Sequence, residues 1–171
     1  LKWYAELFSR SDVMDALWVT VSIAVFATAI STVVGTAAAI GFYGMKKRTS
    51  RAMTVINNFP MMNPDIVTGI SLMLLFAFIG IRRGYVTLLL AHLVFCIPYV
   101  VLAVLPKLKT MNPHLYEAAL DMGATPSKAL MKVVIPQIRP GIITGALLAF
   151  TMSLDDFAVS FFTGGTYNTL S

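Results

Sequence analysis

Charged residues are so sparse along this chain that they divide it into uncharged runs, and those runs give the first structural reading. No charge occurs from Ala16 to Met45. About 20 apolar residues cross a hydrocarbon layer roughly 30 Å thick, so this run predicts a first membrane span, A. Asp65 and Arg82 bracket a second run, Ile66 to Ile81. Its sixteen residues are short for a span B unless Pro64 and Asp65 form its first turn. A third run, Gly84 to Pro106, is long enough for span C despite His92 and Pro98, because bundled membrane helices tolerate lone prolines. Pro140 to Leu154 gives span D in fifteen residues, about 22 Å of helix, so one or both of Asp155 and Asp156 must enter the outer part of the membrane.

Two of these spans repeat a small residue at every fourth position: Ala27, Ser31, Gly35 and Ala39 in A, then Gly141, Gly145, Ala149 and Ser153 in D. Small residues are common in membrane helices, but four in register, twice, predict faces where helix backbones approach closely. Composition agrees with a membrane class. Hydrophobic residues make up 57% of the chain and charged ones 12%, against about a quarter charged in soluble domains. The net charge of +5 would suit an acidic partner, but no basic stretch is interleaved with aromatics, so nucleic acid is excluded and the charge reads as topology. Lys46, Lys47, Arg48 and Arg51 follow span A, and Lys107, Lys109, Lys128, Lys132 and Arg139 follow span C; Lys2, Arg10, Arg82 and Arg83 lie on the other side. Nine positives against four place both long loops in the cytoplasm. The stretch Leu1 to Asp15, with Trp3, Tyr4 and Phe8, then lies outside and suits an interfacial helix. Cys96, the only cysteine, lies in an apolar run and reads as a small core residue.

The cytoplasmic interval Lys107 to Arg139 carries its own punctuation. Asn112 and Pro113 are a helix start, and Gly123 is placed to end that helix in the left-handed conformation, which gives a short helix from Pro113 to Met122. Thr125 and Pro126 start a second helix, which Pro136 is expected to stop. On the first helix Leu115, Ala118, Ala119 and Met122 share one face, an apolar stripe that either meets a partner protein or lies on the lipid interface and the span ends.

Within this loop Glu117, Ala118, Ala119, Gly123, Val133, Ile135 and Pro136 resemble the EAA motif of binding-protein-dependent ABC importer permeases, with Val133 and Ile135 as conservative replacements. The resemblance implies an all-α integral membrane protein, a helical bundle of the type I importer fold. In that family the loop docks in a groove on a cytoplasmic ATPase subunit and moves with the ATPase dimer. It also implies a second permease subunit and an extracytoplasmic solute-binding protein, in the bacterial cytoplasmic membrane. ATP and Mg would be bound by the ATPase, leaving no cofactor in this chain. Six spans are usual in the family, so four suggest a single-domain fragment of a longer protein, as does a start at Leu1 rather than Met.

Charges within spans usually face a bundle interior or a watery path. At 100° per residue Asp156 falls about 20° from Ala149 and Asp155 about 120° away, so Asp156 is the better path-lining candidate. The alternative is that both are solvated at the outer interface. Asp65 either stabilises the first turn of span B or, if the helix is broken at Pro60 and Pro64, faces a solute route near the midplane. Three acids and Trp3 suit a cationic solute, since carboxylates bind ammonium and aromatic faces attract cations. The stretches KWYAEL, MMNPDIVTGISLMLLF, HLVFCIPYVV and SLDDFAVSFFTGG resemble permeases of spermidine/putrescine importers. That resemblance implies polyamine-handling roles for Trp3, Asp65, Ser153, Asp155 and Asp156. Importers of iron, sulfate or other solutes are the alternative, followed by a non-transporting scaffold. An enzyme is disfavoured: no paired metal ligands and no phosphate-cradling glycine loop occur, and adjacent aspartates on a helix diverge.

Overall fold

The structure, a computed structural model, describes residues 11–167, 169 and 170. Three long helices form its core: α1 (Ser11–Gly44), α4 (Tyr85–Thr110) and α7 (Ile135–Asp155). Between α1 and α4 lie α2 (Lys47–Met62) and α3 (Asp65–Ile79). The loop between α4 and α7 holds α5 (His114–Asp121) and α6 (Pro126–Ala129), and α8 (Ala158–Thr163) follows α7.

The small-residue stripes explain why the core is tight. Ala27, Ser31, Gly35 and Ala39 of α1 are all buried, as are Gly141, Gly145, Ala149 and Ser153 of α7. Both stripes close on α4, and Val100 sits between them. A Cβ on Gly35 would lie 2.7 Å from the Val100 Cβ, and one on Gly145 would lie 3.1 Å from the Val100 Cα. In lipid, where burying apolar surface between helices gains little, such backbone approach is the main source of packing attraction. At the end away from the α5–α6 loop, three hydrogen bonds among the described residues fasten the bundle. The Tyr85 hydroxyl donates to Ser22 Oγ at 3.0 Å, Thr87 Oγ1 donates to the Thr163 carbonyl at 3.0 Å, and the Leu170 N–H donates to Thr20 Oγ1 at 2.9 Å. Faces turned outward are apolar: Trp18, Val33, Leu74 and Phe78 are exposed, as surfaces meeting lipid or further spans should be.

The expected spans appear with corrections. α1 takes in span A but begins at Ser11, so Ser11 to Asp15 are part of the long helix and not of a separate interfacial one; Trp3, Tyr4 and Phe8 lie outside the described residues. Span B is not a span by itself. Among the described residues three helices are long and apolar enough to cross, and a fourth crossing arises only if α2 and α3, bent by 100°, count together. The bend falls at Asn63 and Pro64, both in extended backbone, because a residue before proline is pushed out of the helical region. Pro60 makes no break: it lies inside the last turn of α2. α4 runs unbroken through Pro98 and Pro106.

Pro136 does not stop the second loop helix. The backbone widens into a π-turn over Leu130–Val134, where the Ile135 N–H donates to the Leu130 carbonyl, and then continues as α7. The wider turn accommodates the proline that an α-turn would have set against the preceding carbonyl. The result is one apolar rod, Pro126–Asp155, of 30 residues and about 45 Å.

Candidate functional site

Two places carry the residues singled out by sequence, one at each end of that rod. At the Asp155 end of the rod, Asp65, Asp155 and Asp156 line a common cavity of about 80 Å³ with Pro60, Met61, Phe95, Tyr99 and Met152. Each acid arrives by a different local device. Asp65 is in the first turn of α3, directly after the Pro64 break, and is exposed. Asp155 is the last residue of α7 and is exposed. Asp156 has left the helix, with φ −74° and ψ 110°. The helical-wheel expectation that separated Asp155 from Asp156 therefore does not apply: the turn ends between them, and both reach the cavity.

Asp156 is the most constrained of the three, its side chain 8% exposed. Its Oδ1 accepts from the Val159 N–H at 3.3 Å, and its Oδ2 accepts from the Ser160 N–H at 2.9 Å and the Ser160 hydroxyl at 3.0 Å. These bonds cap the start of α8, where free N–H groups favour a carboxylate. α8 packs in turn on α3 at Gly69, where a Cβ would meet Phe162 Cδ2 at 2.9 Å. On the other side Asp156 Oδ2 is 3.8 Å from His92 Nε2.

Ser153 does not line the cavity. It lies on the buried stripe of α7, with no hydrogen-bond partner for its hydroxyl among the described residues. Trp3 is outside the described residues. The aromatics at the cavity are instead Phe95 and Tyr99, which sequence reasoning passed over. A signal existed: His92, Phe95 and Tyr99 stand at i, i+3 and i+7 on α4, one helical face. Among the described residues no group of three His, Cys, Asp or Glu could hold a metal ion.

At the loop end α5 is one residue shorter at each end than the expected Pro113 to Met122, running His114–Asp121 with Pro113 in the N-cap position. Asn112 Oδ1 accepts from the His114 N–H at 3.0 Å, and Gly123 ends the helix with φ +84° in open space. Thr125 Oγ1 accepts from the Lys128 N–H at 3.4 Å at the start of α6. The apolar stripe of α5 is divided: Ala119 is buried against the following helix segment, whereas Ala118 and Met122 are exposed. Val133 is half-buried, Ile135 half-buried and Pro136 exposed on the rod. Glu117 is exposed, 3.4 Å from His114 Nδ1 on its own helix. It also lines a cavity of about 550 Å³ with Tyr43, Leu108, Tyr116, Pro126 and Leu130, which joins the ends of α1 and α4 to the loop.

A helical bundle with long apolar helices, a sharply bent helix pair, carboxylates gathered at one end and a helix–glycine–helix loop at the other has the architecture of an integral membrane protein. The sequence profile of the family described as binding-protein-dependent transport system inner membrane component matches residues 31–170, and the chain belongs to that family. It has the type I ABC importer permease fold, embedded in the inner membrane. A spermidine/putrescine transport system permease protein of Haemophilus influenzae, PotC, is 40% identical over 163 residues, covering 95% of this chain and 63% of that protein. PotC of Escherichia coli K12 is 36% identical over 170 residues, covering 99% of this chain and 64% of the relative. The putrescine transport system permease protein PotI of the same organism is 36% identical over 171 residues, covering 96% of this chain and 61% of the relative. The chain thus spans less than two thirds of the length of these relatives.

Proposed function

We propose that this chain is the core of a permease subunit that admits a small organic cation, most specifically a polyamine such as spermidine or putrescine, through an ATP-driven importer. The observation that carries the reading is the cavity where Asp65, Asp155 and Asp156 meet beside Phe95 and Tyr99. Carboxylates offer charge-assisted hydrogen bonds to ammonium groups, and aromatic faces attract them. Three acids repel an anion such as sulfate. The names of the relatives point the same way.

The loop supplies the mechanical half. Glu117, Ala118, Ala119, Gly123, Val133, Ile135 and Pro136 are the ATPase-coupling residues in this reading. The exposed side of α5 docks on a cytoplasmic ATP-binding subunit, and Gly123 sets its angle to α6. Displacement of α5 then moves a rod that the π-turn and Pro136 keep continuous, and the rod ends at Asp155. A cytoplasmic push thereby reaches the outer cavity as a rigid-element motion. A second permease subunit completes the path, and an extracytoplasmic binding protein delivers the solute. Trp3 remains assigned to the path, whereas Ser153, set back from the cavity, acts as the small residue that lets α7 lie against α4.

The test is solute selection. Cells deprived of their own polyamine importers and given the full-length protein with its partner subunits are expected to accumulate labelled spermidine or putrescine, with neither sulfate nor ferric ion competing. Competition by either ion, with no polyamine uptake, overturns the assignment.

A further inference from the structure

Where α1 and α4 end, a further cavity, of about 590 Å³, opens against the first turns of α2. Lys47 and Arg51 of α2 line it together with Lys109 from the last turn of α4, and Tyr43, Ser50 and Thr54 lie between them. No acid lines this space. The chain has no Asp or Glu from Ala16 to Pro64, a stretch that includes all of α2, and α4 has none either. Among the described residues Lys47, Arg51 and Lys109 form no ion pair; Glu117, in the neighbouring cavity that shares Tyr43, is 3.4 Å from His114. Like charges gathered around one space repel one another, and an anion between them turns that repulsion into attraction. Membrane orientation accounts for positive residues at the end of a span, but it gives no reason for cations of two helices to share one cavity.

The shape of α2 narrows the chemistry of the anion. Its cationic side continues as apolar surface: Lys47 and Arg51 are followed at the same spacing by Val55 and Phe59, with Met62 in the last turn. Val55 also lines the cavity, and Val55, Phe59 and Met62 are 66%, 64% and 81% exposed. From Arg51 to Met62 the helix rises about 16 Å, close to half of a hydrocarbon layer roughly 30 Å thick. A charged head beside Arg51 and an acyl chain laid along Val55 and Phe59 use the whole of this side, whereas a free phosphate uses only its first two turns. The guanidinium suits a phosphate as a two-pronged donor, and the lysines add point charges. No residue of α2 is fully buried among the described residues, so a headgroup shared by Arg51 and Lys109 would fasten a helix that packing holds loosely.

We propose that this cavity binds the phosphate headgroup of an anionic phospholipid, with an acyl chain along the exposed side of α2, and that the lipid straps α2 to the end of α4. The proposal stands apart from the identity of the transported solute.

The test uses the full-length permease with its partner subunits, stripped of lipid in detergent and titrated with phosphatidylglycerol, phosphatidylcholine or inorganic phosphate, bound lipid being counted by native mass spectrometry. Phosphatidylglycerol should bind in preference to phosphatidylcholine, and inorganic phosphate should not displace it. Arg51→Gln and Lys109→Gln should each weaken that binding roughly fivefold, whereas Lys128→Gln and Lys132→Gln, outside the cavity, should leave it within about twofold. In nanodiscs, amide hydrogen exchange in α2 should slow when phosphatidylglycerol is added to phosphatidylcholine, a response that the Lys47→Gln/Arg51→Gln variant should lose; the unaltered protein supplies this readout even if a variant assembles poorly. Equal binding of the two lipids, or exchange in α2 that ignores phosphatidylglycerol, overturns the proposal. Displacement by inorganic phosphate assigns the cavity to a free anion, equal losses from Lys128→Gln assign the effect to surface charge in general, and binding seen only after the ATP-binding subunit is removed assigns the cavity to that subunit; each of these also overturns it.

Discussion

Glycine does opposite work in the packed core and in the loop between α4 and α7. At Gly35 and Gly145 the backbone is ordinary helix and the space is full: any Cβ runs into Val100 of α4. At Gly123 the space is empty and the backbone is special, φ +84°, which L-residues with side chains rarely adopt. The core therefore needs the absence of a side chain, and the loop needs freedom of the chain. A region of the first kind holds three helices as one body; a region of the second kind lets a short helix take a fixed angle without being packed there. The proposed lever requires both.

Substitution can separate the two. Gly145→Leu should have the largest effect, because it forces α7 away from α4 at a site with no slack, costing about 3 kcal/mol. Thermal unfolding of the purified full-length permease in detergent would show a clearly lower Tm, and an unchanged Tm would mean that the close approach is not what holds the core. Gly123→Ala should cost about 1 kcal/mol through left-handed strain alone, and Gly123→Asn less, because asparagine tolerates that region. If Ala and Asn destabilise α5 equally, the loop is constrained by something other than its backbone angle.

Much of this was legible before any coordinates. Turn chemistry is local, so Asn112, Gly123 and Thr125 could be read as helix punctuation. Periodicity is nearly local, so the small-residue stripes of α1 and α7 could be read as packing faces. What failed depended on competition between neighbours. Pro136 reads as a stop, yet a π-turn over Leu130–Val134 absorbs it and the helix continues as α7. Asp155 and Asp156 were separated by helical geometry that ceases between them, since Asp156 is drawn off to cap α8. Phe95 and Tyr99 went unremarked because an aromatic on an apolar span looks like any lipid-facing residue until another helix brings acids to the same face.

The central claim is that the cavity acids, and not acids in general on the outer surface, set affinity for a cation. Asp12 and Asp15 provide the internal control, being outer-surface carboxylates at the start of α1, away from the cavity. The decisive measurement is the KM for labelled spermidine in the assembled transporter carrying Asp156→Asn or Asp12→Asn, at one pH and salt concentration. A roughly tenfold rise for Asp156→Asn, with Asp12→Asn within about twofold of the unaltered protein, is the expected result. Equal effects from the two, or none from Asp156→Asn, would contradict the account.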